Sequence, residues 1–299
     1  MKAILRLIRF QNLIIIGLTM CMIRYFLVGK LLDLRALWLG LSDLDFLVLT
    51  LSVLFIAAGG YIVNDYFDLP IDAINKPEQI VIGRNISKNN AFKLYITLTV
   101  IGAILSLYVS YKVNNLTYCL INLSCAGLLW FYSNTYKKTL LIGNIVIAVL
   151  SGLVPLLVAI YEPNKSKTEL LFVSTYAGFA FVISLIREII KDIEDIEGDK
   201  SQGANTLPIA TNIGFSKLLV FALIVSLLYF LGYVEYNQYI TQDVRSLWYF
   251  IIAISVPLLL LGVGVVLAKE KVQFHRLSQL SKFIMLTGIF STLVFYYSF

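Results

Sequence analysis

The chain has 299 residues, of which 59% are hydrophobic and only 14% charged, with a mean hydropathy of +0.83. A soluble domain carries about 25% charged residues, so the composition excludes an ordinary soluble enzyme and places the chain in a bilayer. The formal net charge of +6 does not mark a nucleic-acid binder, because the basic residues fall in short loops between apolar runs.

A bilayer core of roughly 30 Å takes about 20 helical residues to cross. Apolar runs of that order lie at 11–29, 46–64, 92–111, 117–133, 140–161, 169–187, 217–236, 247–268 and 281–299. They predict an all-α, multi-pass membrane helical bundle of about nine transmembrane helices, in a single domain over 1–299. Arg24 interrupts the first run and no small-residue cleavage site follows, so this run reads as a span and not as a cleavable signal peptide. With the N-terminus placed in the cytoplasm, the segments on that side, Lys76 among them, hold 17 Lys and Arg against six in the outer loops. That bias follows the positive-inside rule. It predicts an integral protein of the cytoplasmic or plasma membrane, with its N-terminus and the loops after the second and sixth spans in the cytoplasm.

Cys21, Cys119 and Cys125 are odd in number and lie within spans, so no disulfide framework is expected. His275 is the only histidine, which removes a His-rich metal site and leaves no base for a hydrolytic triad near the acidic segments.

Those acidic segments are the strongest local signal. Ten of the 18 Asp and Glu fall in two stretches, "NDYFDLPIDAINKPE" from residue 64 and "REIIKDIEDIEGDK" from residue 187. Asn64, Asp68 and Asp72 step by four and Asp65 lies three before Asp68, so all can share one helical face. Pro70 can kink that helix, and Asn75 to Pro77 should end it. Asp192, Asp195 and Asp199 repeat the pattern at i, i+3 and i+7. A single acidic run at a helix end is usually a solvated cap. Two with matched spacing, on one side of the membrane by the Lys and Arg bias, are not. Stacked carboxylates repel one another unless hard cations meet them, and Mg²⁺ is commonly held by one or two carboxylates plus substrate phosphates. Two opposed acidic faces suit a diphosphate bound through Mg²⁺. A transporter would instead carry its ionisable residues near the midplane of broken helices, where these spans are nearly free of acid.

Basic and aromatic residues complete the set. "LLWFYSNTYKK" ends the fourth run with Tyr132, Tyr136, Lys137 and Lys138; Arg84 follows the first acidic stretch and Lys191 lies in the second. Fixed cations stabilise the charge growing on a departing diphosphate, and aromatic faces stabilise an allylic cation left behind. Lys138 reads as a topology charge, and tyrosines at a helix end also fit an interfacial belt.

The pair of motifs, Asn64-Asp65-x-x-Asp68-x-x-x-Asp72 and Asp192-x-x-Asp195-x-x-x-Asp199, with the "YSNTYK" segment between them, resembles the UbiA superfamily of intramembrane prenyltransferases over essentially the whole chain. The resemblance implies a bundle around a central cavity with a side opening to lipid, and Mg²⁺-dependent transfer of an isoprenyl chain from a prenyl diphosphate donor to an acceptor. By the same resemblance Asp65, Asp68, Asp72, Asp192, Asp195 and Asp199 would hold the metal. Asn64, Arg84, Tyr132 and Lys137 would bind substrate, with Lys137, Tyr132, Arg84 and Lys191 serving catalysis. "DAINKP" with "KDIEDIEGDKSQGANTLP" is most similar to the geranylgeranylglycerol-phosphate geranylgeranyltransferases of ether-lipid synthesis. The first motif also looks like that of chlorophyll synthases. The chain departs from both where an Arg-Pro pair is expected, reading "EQIVIGR" with Gln79 in the arginine's place. The acceptor is therefore either a small lipid or an aromatic compound of quinone or chlorophyll-type synthesis. A transporter or polyprenyl-lipid binder is the alternative from another class. Membrane lipid is an expected partner and nucleic acid is not.

Overall fold

Polar residues between the apolar runs set where several of the helices begin. Ser87 accepts from the Asn90 amide at 3.2 Å, and Asn212 accepts from the Phe215 amide at 2.8 Å. Ser166 and Glu169 form a capping box. Each satisfies amides that a helix N-terminus leaves unpaired. In the computed structural model, which describes residues 2–75, 77–201 and 203–298, the chain is all-α, with no strand among the described residues. Lys76 and the side chain of Gln79 lie outside the described residues.

The helices are α1 (Lys2–Leu7), α2 (Phe10–Asp33), α3 (Asp43–Asn75), α4 (Lys88–Lys112), α5 (Tyr118–Asn134), α6 (Ile142–Tyr161), α7 (Lys167–Glu194), α8 (Ile196–Ser201), α9 (Ile213–Ile240), α10 (Val244–Leu267) and α11 (Lys271–Ser298). Eight of these are long and apolar enough to cross a bilayer. The remaining long helix, α5, has 17 residues. A rise of 1.5 Å per residue gives it roughly 25 Å, a little less than the hydrocarbon core. It occupies the place of the expected fourth span. The helix of the second span continues past its apolar stretch as the motif spacing predicts: α3 runs unbroken to Asn75 and carries the whole first acidic motif.

α3 packs along α4 and α5, α6 along α7, and α7 against α11. At Gly102 the backbones of α3 and α4 close up: a Cβ there would lie 2.8 Å from Ile56 Cγ1 and 3.0 Å from the Ser52 carbonyl. Ser52 Oγ donates to the Gly102 carbonyl at 2.7 Å across that approach. Small residues and hydroxyls hold helices together where the surrounding solvent is itself apolar.

Contacts between helix ends sort into two layers. In one, Arg9 meets Asp65, the Asn205 amide donates to the Lys138 carbonyl, and His275 meets Glu194. In the other, Arg35 meets Glu169, the Gly40 amide donates to Glu162, and Ser298 donates to Asp243. The acidic motifs belong to the first layer. Arg24 anchors the second. A π-helical stretch over Ile23–Val28 carries it, and its side chain is 2% exposed. Its guanidinium donates to the Leu41 carbonyl at 2.5 Å and to Asp43 at 3.2 Å, lies 3.8 Å from Glu162, and stands over the Phe46 ring at 4.5 Å.

Removing one partner of a buried ion pair leaves the other charge uncompensated, at a cost of about 3 kcal/mol. Arg24→Ala should therefore lower the thermal unfolding midpoint in detergent markedly, and Glu162→Gln should lower it less. An unchanged midpoint for Arg24→Ala would show that the cluster is not structural.

Candidate active site

A cavity of about 1020 Å³ opens among α2, α3, α5, α6, α7 and α11. Its mouth is polar and its depth apolar. Asn64, Asp65, Asp68 and Asp72 line it from α3, and Asp192, Asp195 and Asp199 from α7 and α8. Further in, Val53, Ile56, Leu129, Val154 and Leu157 form its walls. From Asp65 to Val53 the helical rise is roughly 18 Å, deep enough for an extended apolar chain.

The first motif keeps the single helical face its spacing predicts, with Pro70 accommodated inside α3. Asn64 Nδ2 donates to Asp68 Oδ2 at 2.7 Å, and the other Asp68 oxygen is ion-paired with the Lys137 ammonium. The second motif differs from expectation. The helix breaks at Asp195 (φ −99°, ψ 10°) and resumes as α8, yet all three aspartates still line the cavity. Asn144, at the head of α6, donates to Asp192 Oδ2 at 2.8 Å and holds that carboxylate in place.

The turn carrying Lys137 is positioned by its neighbours. Asn205 N–H donates to the Lys138 carbonyl at 2.8 Å, tying the segment after α8 to this turn. Gly143 lets the turn seat on α6, because a Cβ there would lie 2.8 Å from both Lys137 Cα and the Tyr136 carbonyl. Burial, with Lys138 next along the chain, pulls the Lys137 ammonium down to about 7, while Asp199 and Asp65 work in the other direction. Tyr132 and Lys191 line the cavity. Tyr136 does not; its ring stacks on Phe131 with centroids 6.0 Å apart.

Arg84 stands apart. It is exposed in the Gly83–Asn85 turn, where Gly83 takes a positive φ of 88°, and it lines no part of the cavity. Asp65 of the first motif is met by Arg9, one of the 17 Lys and Arg that the charge bias places on the motif side. Its Nη2 lies 2.9 Å from Asp65 Oδ1 and its guanidinium 5.1 Å from the Tyr61 ring centroid. Arg9 has φ 48° and ψ 55°, a left-handed conformation unusual for a residue with a long side chain. The break it makes between α1 and α2 turns the guanidinium toward Asp65. Arg187 and Lys282, two more of the 17 Lys and Arg of that side, also line the cavity.

The donors at the mouth are carboxylates and an amide, the hard oxygen chemistry that suits Mg²⁺. Among the described residues, no three Asp, Glu, His or Cys converge as a ready-made cage for one ion. The residues fit an ion that takes one or two carboxylates from the protein and its remaining ligands from phosphate and water.

The model of the UbiA prenyltransferase family matches residues 27–283. Relatives named digeranylgeranylglyceryl phosphate synthase include one from Methanobrevibacter smithii, 35% identical over 61% of this chain and 64% of its own length. Another, from Methanothermobacter thermautotrophicus, is 36% identical over 75% of this chain and 73% of its own. A solved structure concerned with digeranylgeranylglyceryl phosphate synthase in membranes superposes with a TM-score of 0.67 at 28% identity, covering 99% of this chain and 98% of that one. A UbiA homologue from Archaeoglobus fulgidus bound to GPP and Mg²⁺ shares the fold, with a TM-score of 0.60 at 14% identity over 97% of this chain and 99% of that one.

Groups that orient a metal ligand typically change metal affinity by about 10- to 100-fold when removed. Asn144→Ala should raise the Mg²⁺ concentration for half-maximal binding of a prenyl diphosphate by about tenfold. An unaltered Mg²⁺ dependence would take Asp192 out of the metal site.

Proposed function

This chain belongs to the UbiA prenyltransferase family, and we propose that it transfers a geranylgeranyl chain from its diphosphate to a glyceryl phosphate lipid that already carries one such chain. The observation that carries this reading is the meeting of two aspartate motifs at the mouth of one deep apolar cavity. The names of the relatives support the acceptor.

In this reading the aspartates of the two motifs hold the donor diphosphate through Mg²⁺. The metal, when bound, neutralises charge on the diphosphate and so favours its departure. The chain's own residues do the rest. Asp68 is kept in place by Asn64, and Asp192 by Asn144. Lys137, at the same mouth, exchanges its pairing with Asp68 for the oxygens of the leaving group and meets the charge that grows there. Tyr132 lines the cavity, and its ring would stabilise positive charge on the allylic group. The apolar walls keep water from the reacting carbon, so the acceptor oxygen, in place of a water molecule, bonds to it as the carbon–diphosphate bond breaks, and the hydroxyl proton passes to the departing diphosphate. Lys191, which lines the same cavity and pairs with Glu188 at 3.1 Å, adds a second fixed cation for the charge on the leaving group. Arg84, exposed on its turn, has no part in this arrangement.

The surplus of Lys and Arg on the motif layer supports a cytoplasmic placement of that layer and of the N-terminus. In a chain freed of native cysteines, Ser201→Cys should label from the cytoplasmic face and Thr117→Cys from the other. Labelling of Ser201→Cys from outside would reverse the orientation.

Catalysis is tested with labelled geranylgeranyl diphosphate and a panel of lipid and aromatic acceptors, read by mass spectrometry. Product should form on the glyceryl phosphate lipid, require Mg²⁺ and vanish in chelator. Product on an aromatic acceptor alone would overturn the proposed acceptor. A charge that meets the leaving group mainly in the transition state alters kcat, whereas one that binds both states equally alters KM. Lys137→Ala should therefore lower kcat by at least about 100-fold. Unchanged kcat and KM would demote Lys137 to a topology charge.

A further inference from the structure

α7 and α11 run antiparallel, and two side-chain contacts fix their register. Glu194 Oε1 lies 2.9 Å from His275 Nδ1 at the motif layer, and Tyr176 Oη lies 3.1 Å from Ser291 Oγ further in. This register sets Arg187 level with Lys282, each seven residues inward from the Glu194–His275 pair. Seven residues rise roughly 10 Å, so both cations lie deeper in the bundle than the second aspartate motif. Both line the cavity.

The charges around them do not balance. Glu188 pairs with Arg187 at 2.6 Å and with Lys191 at 3.1 Å, while Arg9 is held by Asp65. Arg187 Nε is buried with no hydrogen-bond partner, and among the described residues the Lys282 ammonium makes no ion pair. Arg9, Arg187 and Lys191 all stand within electrostatic reach of Lys282, with Glu188 the carboxylate facing it. Cations gathered inside a membrane bundle are costly and mark function. They repel one another until an anion closes the group.

We propose that Arg187 and Lys282 form a second anion subsite, separate from the diphosphate site, that takes the phosphate monoester of the acceptor lipid. The inference rests on the proposed function and assigns the residues that choose its acceptor. A phosphate monoester presents several oxygens and up to two negative charges, matching the fork of a guanidinium together with the point charge of an ammonium. The free hydroxyl and the phosphate of this acceptor belong to the same glycerol. Holding the phosphate below the aspartate layer therefore sets the hydroxyl beside the donor carbon, which points from its diphosphate into the cavity. The same subsite rejects an uncharged alcohol, because it would leave the Lys282 ammonium without an ion pair and Arg187 Nε without an acceptor.

The test uses the full chain in detergent with Lys282→Ala, Arg187→Gln and Lys282→Arg, and two acceptors: geranylgeranylglyceryl phosphate and the same lipid without its phosphate. A lost hydrogen bond to a charged group weakens binding by a factor on the order of ten or more. Lys282→Ala and Arg187→Gln should each raise acceptor KM by about that factor, Lys282→Arg should recover most of it, and donor KM should stay in place. The preference of the unaltered protein for the phosphorylated acceptor should collapse in Lys282→Ala. Equal losses on both acceptors, or a change confined to donor KM, would overturn the subsite. A second readout needs no turnover. In chelator, the glyceryl phosphate lipid should raise the melting temperature of the unaltered protein and not that of Lys282→Ala. Stabilisation without prenyl transfer would sustain the subsite and defeat the proposed function, whereas equal stabilisation of both proteins would defeat the subsite.

Discussion

A carboxylate at the edge of a bilayer is costly unless positive charge or hydrogen bonds meet it. The polar end of this bundle is arranged around that constraint. Arg9 answers Asp65, Lys137 answers Asp68, Asn144 answers Asp192, and Arg187 with Lys191 answers Glu188. These partners come from α6, α7, the break between α1 and α2, and the turn after α5, so meeting the charge also draws the ends of the bundle together. In the proposed function a diphosphate with Mg²⁺ would satisfy the same constraint by another route, the metal supplying positive charge to the aspartates and the diphosphate negative charge to the cations. In that proposal the motif residues exchange partners within the protein for partners on the ligand, which is what a site that binds and releases a highly charged leaving group requires.

The two ends of the bundle divide their work. At the far end, Arg24, Asp43 and Glu162 form a closed network that ties α2 and α3 to the end of α6 and opens onto no part of the cavity. Its charges serve packing. At the motif end the cavity is open, the helix breaks at Asp195, and Arg9 takes a left-handed backbone. These two departures from regular structure aim groups at the cavity mouth, whereas the π-helical stretch over Ile23–Val28 aims Arg24 into the closed network.

Much of this was legible in the sequence. Apolar runs define the spans because the bilayer imposes a length, and the count blurs only at α5, whose 17 residues fall near that limit. The aspartate faces were visible because helical period alone places Asp65, Asp68 and Asp72 together. The cations were not visible in the same way. Arg9 lies 56 residues from Asp65 in the chain, and Arg187 meets Lys282 only through the register of α7 on α11. In the sequence each is one more basic residue in the charge bias, whereas Arg84, singled out because it follows the first motif, is left exposed by the structure. Whether a basic residue sets topology or enters a site depends on which helix packs beside it, and single-chain periodicity does not contain that information.

The central claim is that both aspartate motifs hold one diphosphate through Mg²⁺. Calorimetric titration with an unreactive thiolo analogue of geranylgeranyl diphosphate, in Mg²⁺ and in chelator, tests it most directly on the unaltered protein, Asp68→Asn and Asp195→Asn. The account predicts tight binding that needs Mg²⁺ and is lost when either motif is altered. Full Mg²⁺-dependent affinity in either variant would contradict it, because the diphosphate would then be held by one motif alone.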